Sequence, residues 1–260
     1  MSEVLRTDHL SIQFGGLKAV NDVSFQVNEG ETFGIIGPNG AGKTTLFNMC
    51  SGIYKPTSGD VYLCGEKITG MHPENICNKG LCRTFQSSQL FAFMSVLENV
   101  KVGCHIGTRT GFKDAIMRNK RYKQDEEFAY EKSLEIIEKV GLKKYIDTKA
   151  GNLSYGIQRK VEIARALATD PKILLLDEPA AGMNPNETAD LMDFVNLLHL
   201  EHQTVLLIEH DMKFVMNSCK RILVLNFGQK ICEGTPEEVR NNKDVQEAYF
   251  GSGMVTKGVC

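Results

Sequence analysis

The residues best able to do chemistry form one run, Gly37-Pro38-Asn39-Gly40-Ala41-Gly42-Lys43-Thr44-Thr45, which satisfies G-x-x-x-x-G-K-[ST]. That spacing suits phosphate. Gly37, Gly40 and Gly42 permit backbone angles that turn several N–H groups toward one anion. A helix starting where the run ends would aim the positive end of its dipole at the same place. Lys43 can then reach the terminal phosphates of a nucleoside triphosphate, and the Thr44 hydroxyl can ligate Mg²⁺. The flanks agree: Thr32 to Ile36 is a short apolar run of the buried-strand kind, and Leu46 to Cys50 can continue a helix as far as Gly52. A glycine turn with no ligand would not need strand and helix on either side of it. The chain is expected to bind a nucleoside triphosphate.

Three further groups stand where strands should end. Ile173-Leu174-Leu175-Leu176 leads into Asp177-Glu178, and Thr204 to Ile208 leads into Glu209-His210. Leu81 to Phe85 leads into Gln86. In α/β folds the C-terminal ends of buried parallel strands are where ligand chemistry sits. Asp177 is placed to hold Mg²⁺. Glu178 is the candidate general base for an attacking water. His210 can touch the γ-phosphate, and Gln86 can bind the metal or the water. Each alone would ordinarily be structural; their convergence on one phosphate-binding fold points to ATP hydrolysis. Phe14, beside the Gly15-Gly16 turn, is either a core plug or a ring face on which a nucleobase stacks.

The elements that must position these groups follow from pattern. Leu5 to Phe14 and Ala19 to Val27 read as antiparallel strands, with Val23, Phe25 and Val27 alternating against Ser24 and Gln26. Asp60 to Cys64 is a further strand, and Asn75 to Lys79 a short helix. Ser95 with Glu98 three positions on gives a capping box for a helix over 95–102. From Gly103 to Gly151 charges are dense and strand signals vanish, which marks a helical insertion. Tyr130, Leu134, Ile137 and Gly141 share one predicted helix face there. The basic run Arg118-Asn119-Lys120-Arg121 reads as a solvated face, with contact to lipid headgroups or a partner as the alternative. Leu153-Ser154-Tyr155-Gly156 opens a helix with Ser154 as N-cap, and Ile157, Val161, Ala164 and Ala168 on one side. Asn186 to Leu200 is the next helix, with Leu191, Phe194, Val195 and Leu198 inward; a helix near Lys213 to Ser218, strands Arg221 to Leu225 and Lys230 to Glu233, and a helix from Pro236 complete the alternation.

The sum is an α/β fold: a RecA-like P-loop core sheet with an antiparallel β flank and an inserted α-helical subdomain. Residues 1–86 and 171–260 form the core, and 87–170 the helical subdomain. A net charge of −2 leaves no electrostatic case for nucleic acid. No apolar run approaches about 18 residues, so no membrane span is expected. Met1 to Leu10 carries Glu3 and Asp8 without an apolar stretch and is not expected to act as a signal peptide. The cysteines stand singly, with no C-x-x-C pair, as reduced thiols would.

With these motifs in place the chain resembles the ATP-binding cassette family over essentially its whole length. GPNGAGKTT is similar to its Walker A motif, Gln86 to its Q-loop, ILLLDEP to its Walker B motif and His210 to its switch histidine. LSYGIQRK (Leu153 to Lys160) is similar to its signature motif, with Tyr155 and Ile157 in place of the usual glycine and glutamine; Ser154 and Gly156 are retained. AAGMNP carries Asn184 where the family's D-loop usually has aspartate, and Phe14 takes the place of its adenine-stacking aromatic. The resemblance implies two cassettes sandwiching two ATP molecules head to tail, with the Ser154 and Gly156 end of one helix closing on the γ-phosphate held by the other subunit. DEPAAG-x-NP, IEHDM-x-x-V and GTPEEVRNN together resemble the LivG type, the ATPases of branched-chain amino-acid importers. That type implies a second cassette, identical or different, two membrane permeases, an external solute-binding protein, and a peripheral place on the cytoplasmic face of the membrane. Urea uptake, lipopolysaccharide export and a soluble cassette ATPase are the alternatives by resemblance. A P-loop kinase or GTPase fits poorly with the signature helix and the Asp177-Glu178 pair.

Overall fold

A computed structural model describes residues 2–84, 90–107, 114 and 117–250. Gln86 therefore lies outside the described residues. The chain divides into two compact units: Met1–Arg83, Lys172–Ala181 and Met192–Cys260 in the first; Thr84–Pro171 and Gly182–Leu191 in the second.

The first unit holds two sheets. Strands β1 (Glu3–Phe14) and β2 (Leu17–Asn28) form a long antiparallel hairpin. β4 (Ser58–Leu63) pairs with β1, and β5 (Glu66–Lys67) with β4, giving the order β2-β1-β4-β5. The second sheet has six strands. These are β3 (Thr32–Ile36), β6 (Leu81–Arg83), β7 (Ile173–Asp177), β8 (Val205–Ile208), β9 (Arg221–Asn226) and β10 (Gln229–Gly234), in the order β10-β9-β3-β8-β7-β6. All neighbours in it run parallel except β10, which returns antiparallel beside β9. β3, β7 and β8 are buried at every position, the pattern of strands covered on both faces. Helix α1 (Lys43–Cys50) shares one apolar core with both sheets: Leu46, Phe47 and Met49 pack with Leu10, Val23 and Phe25 from the flank and Ile35, Leu206 and Leu223 from the central sheet. Short helix α2 (Pro73–Asn78) precedes β6.

The second unit is helical. Helix α3 (Val96–Cys104) opens with the expected capping box between Ser95 and Glu98. It packs against α4 (Lys120–Lys139) and α5 (Tyr155–Leu167). Gly103 makes that approach possible, since a Cβ there would lie 2.1 Å from the Arg165 carbonyl oxygen. Inside α3 the fully buried Asn99 amide donates to the carbonyls of Phe91, Met94 and Ser95, while its oxygen accepts from the Phe91 N–H. The buried face of α4 corrects the expected one. Ala129, Ser133, Ile136, Ile137 and Val140 are inside, while Tyr130 is 47% exposed. A serine can take a core position because its hydroxyl donates to the Ala129 carbonyl at 2.6 Å. Arg118, Asn119, Lys120 and Arg121 are exposed, as a solvated face requires.

Helices α6 (Pro185–Leu200), α7 (Met212–Ser218), α8 (Pro236–Asn241) and α9 (Lys243–Phe250) complete the chain. Leu191, Phe194, Val195 and Leu198 of α6 are buried, as the sequence pattern demands. Among the described residues no helix is long and apolar enough to cross a membrane. Among the described residues the cysteines stand outside any disulfide.

Candidate functional site

The phosphate loop runs from the end of β3 into the first turn of α1. Gly37, Gly40 and Gly42 have φ of 152°, 78° and 99°, the left-handed angles that the motif's glycines supply. Gly42 is also sterically fixed, because a Cβ there would sit 2.4 Å from the Ala19 carbonyl oxygen. The β9–β10 turn holds the loop from below: the Gly228 N–H donates to the Ala41 carbonyl at 3.0 Å. Tyr249 on α9 adds a contact to the Gly37 backbone, and burial pushes its phenol up to about 12. Helix α1 begins at Gly42 without a side-chain cap, so its first-turn amides have no side chain of their own to satisfy them. The Lys43 ammonium curls back to the carbonyls of Gly37 at 2.7 Å and Pro38 at 3.0 Å. Burial lowers its pKa from the usual lysine value, while the charge of Glu178 acts the other way. A buried cation ringed by amide dipoles is a receptor for a multiply charged anion.

Adjacent strands deliver the acids. β7 and β8 pair with Asp177 opposite Ile208, so the residues that follow each strand emerge side by side. Glu178 donates its N–H to the Ile208 carbonyl and adopts φ of 45°, a left-handed backbone that a non-glycine residue accepts only when its surroundings enforce it. The turn carries its carboxylate to His210, whose Nε2 lies 2.7 Å from Glu178 Oε1. Asp177 is nearly fully buried and accepts from the Arg83 guanidinium at 2.6 Å.

Sequence reasoning assigned no role to Glu209. This carboxylate is 4% exposed and accepts the N–H groups of Ala180 at 2.7 Å and His210 at 2.9 Å. Burial raises its pKa, and those backbone bonds oppose the rise. It ties the segment after Glu178 to His210, so both members of the pair are fixed from behind. An acid directly after an apolar strand was the available signal. Glu209→Gln leaves one acceptor oxygen for these two amides and turns an NH₂ toward the other. Thermal unfolding is expected to show a loss of about 1–3 kcal/mol. An unchanged melt would mean that the carboxylate does not hold these loops.

Phe14 ends β1 and is 47% exposed, so it is not a core plug. Its ring meets Tyr54 edge-on, centroids 5.5 Å apart.

In the second unit Ser154 occupies the N-cap position of α5 by backbone angle, but its side chain makes no cap hydrogen bond, which corrects the expected capping role. The Gly156 N–H meets Glu187 Oε1 at 3.4 Å instead. Tyr155, the odd residue of the motif, is held by Arg159, which donates to its hydroxyl at 3.0 Å. The Asn184 side-chain oxygen accepts the N–H groups of Asn186 and Glu187, both at 3.0 Å, and so caps the start of α6. Asparagine serves that purpose as well as aspartate would.

Comparison with known proteins agrees with this geometry. Residues 20–181 match the family model "ABC transporter", and residues 229–254 match "Branched-chain amino acid ATP-binding cassette transporter". The high-affinity branched-chain amino acid transport ATP-binding protein BraF of Pseudomonas aeruginosa is 46% identical over 249 residues, covering 95% of this chain and 98% of its own. A solved ATP-binding cassette of an ABC transporter in its ADP conformation superposes with a TM-score of 0.84 at 38% identity, covering 96% of this chain and all of the other. A dimeric cassette bound to ADP and phosphate superposes at 0.72 with 25% identity, covering 89% and 98%. A phosphate loop at the end of β3, acids at the ends of β7 and β8, and likeness along nearly the full length agree: the chain belongs to the ATP-binding cassette transporter family and is an ATPase.

Proposed function

We propose that this ATPase drives uptake of the branched-chain amino acids leucine, isoleucine and valine. It would work from the cytoplasmic face of a membrane, paired head to tail with a second cassette, identical or different. Two permease subunits would carry the solute, delivered by an external binding protein. The likeness to BraF along nearly the whole chain and the match of residues 229–254 support the substrate class.

The observation that carries the hydrolytic reading is the 2.7 Å pairing of Glu178 with His210, beside a phosphate loop in the same compact unit. Residues Gly37 to Thr45 bind the phosphates through backbone amides and Lys43. Glu178 accepts the proton of the attacking water, and His210 keeps that carboxylate aimed. Thr44 and Asp177 offer a hydroxyl and a carboxylate, the hard oxygen donors that suit Mg²⁺, and Gln86 belongs to the same set. Mg²⁺ would neutralise charge on the phosphates as it shifts during transfer. In the partner's site, Ser154 and Gly156 supply the opposite donors.

Phe14 stacks on adenine in this reading. Phe14→Ala should weaken ATP and GTP binding alike by about 1–3 kcal/mol, because stacking uses a π-face and not base edges. Fluorescence titration with both nucleotides checks this; unchanged affinity would remove Phe14 from the site.

The transport reading is tested by co-expressing the chain with the permeases and binding protein of a branched-chain amino-acid importer that lacks its own cassette and measuring labelled leucine uptake. Uptake should require this chain and disappear with Lys43→Ala. That variant removes a charged phosphate partner and should weaken nucleotide binding about 10- to 150-fold. Uptake of urea with none of leucine would overturn the substrate assignment.

A further inference from the structure

β6 ends on a buried arginine that the chemistry above does not use. The Arg83 side chain is 8% exposed, and its partner Asp177 6%. One guanidinium nitrogen donates to Asp177 Oδ2 at 2.6 Å, while another donates to Asn48 Oδ1 at 2.7 Å and Ser51 Oγ at 2.9 Å. The guanidinium also lies over the Phe47 ring, 5.4 Å from its centroid.

These partners belong to two elements. Asp177 ends β7, the strand paired with β6. Phe47 and Asn48 lie in the second half of α1, and Ser51 is its C-cap. The same helix carries Lys43 and Thr44 in its first turn. A single planar, rigid group therefore locks the Asp177 carboxylate to the helix that bears the hydroxyl. The plane holds its two terminal nitrogens at a fixed separation and angle, so the Asp177 oxygen on one and the α1 groups on the other are held at a set distance, which an ammonium on a flexible stem does not ensure. Among the described residues the fork takes only one Asp177 oxygen, which leaves the carboxylate able to serve a second partner.

We propose that Arg83 is a positioning residue for the Mg²⁺-binding end of the nucleotide site: by tying Asp177 to α1 it sets how strongly nucleotide binding depends on Mg²⁺. The proposal rests on Thr44 and Asp177 being the groups that meet the ion. Electrostatics alone gives the opposite sign, since a cation beside a metal ligand repels the metal, so removing it would tighten Mg²⁺ binding. Geometry outweighs this here because the arginine is part of the packed core and the carboxylate has no other side-chain anchor among the described residues.

The test uses the full chain as wild type, Arg83→Lys, Arg83→Met and Asp177→Asn. Affinity for a fluorescent ATP analogue is measured in Mg²⁺ and in EDTA, with thermal melts in both buffers. Arg83→Lys keeps the charge and loses the fork. It should bind within about twofold of wild type in EDTA, while the gain in affinity from Mg²⁺ should fall about tenfold, as for groups that orient metal ligands. Arg83→Met should lose at least as much. An unchanged Mg²⁺ gain in Arg83→Lys, an equal loss in both buffers, or tighter Mg²⁺ binding in Arg83→Met would each overturn the proposal. If Asp177→Asn retains the full Mg²⁺ gain, the assignment of Asp177 fails and the proposal falls with it. If Asp177→Asn loses that gain and Arg83→Lys does not, only the role of Arg83 fails.

Discussion

Glu178→Gln should bind ATP with near-normal affinity and hydrolyse it about 10²–10⁴-fold more slowly, the usual worth of a general base. The amide is nearly isosteric with the carboxylate and still reaches His210, which lies 2.7 Å from Oε1. The backbone at Glu178 stays as it is, because its N–H bond to Ile208 does not involve the side chain. What is lost is the capacity to accept a proton from water. Binding should survive because the phosphate receptor is built elsewhere, from Gly37 to Thr45 and the buried Lys43. In the head-to-tail pairing proposed above, where hydrolysis precedes opening, the variant should also accumulate an ATP-bound dimer. Equilibrium binding with single-turnover hydrolysis separates the two steps. Turnover within a few-fold of wild type would remove Glu178 from the chemistry.

The isolated subunit should be a poor catalyst, slower by about 10²–10³-fold than the assembled pair, the cost of missing one set of charge-stabilising donors. The first unit contains the phosphate loop, Asp177, Glu178 and His210. The second contains Ser154 and Gly156, and the Ser154 hydroxyl makes no cap hydrogen bond to α5. A helix start with a free hydroxyl and a weakly engaged glycine amide is suited to an anion from outside the unit. In the head-to-tail arrangement proposed above, that anion would be the γ-phosphate held by the other cassette.

What was legible in the sequence was what is local. The phosphate loop is contiguous, and its glycines have the backbone angles their spacing implies. Asp177 and Glu178 announce themselves as acids ending a strand that is apolar at every earlier position. The capping box at Ser95 needs only four residues. The helix face on α4 misled because periodicity starting from Tyr130 counts an aromatic as buried, whereas Ser133 can enter the core once its hydroxyl is satisfied one turn back. Ser154 misled for a related reason: a serine at an N-cap position need not cap, and only the geometry distinguishes the two. Arg83 and Glu209 were hidden because a buried charge acquires meaning from its partner. Arg83 finds its own 94 residues away, and Glu209 holds a backbone amide 29 residues away. Phe14 presented two readings that only exposure could separate.

The central claim is that one chain carries two halves of different ATP sites. It is tested most directly by measuring hydrolysis per subunit against protein concentration, with sedimentation on the same samples, alone and with the second cassette added. The rate per subunit should be low where the chain is monomeric and rise with the fraction of dimer. Full activity from a strictly monomeric chain, constant across concentration and indifferent to the second cassette, would contradict it.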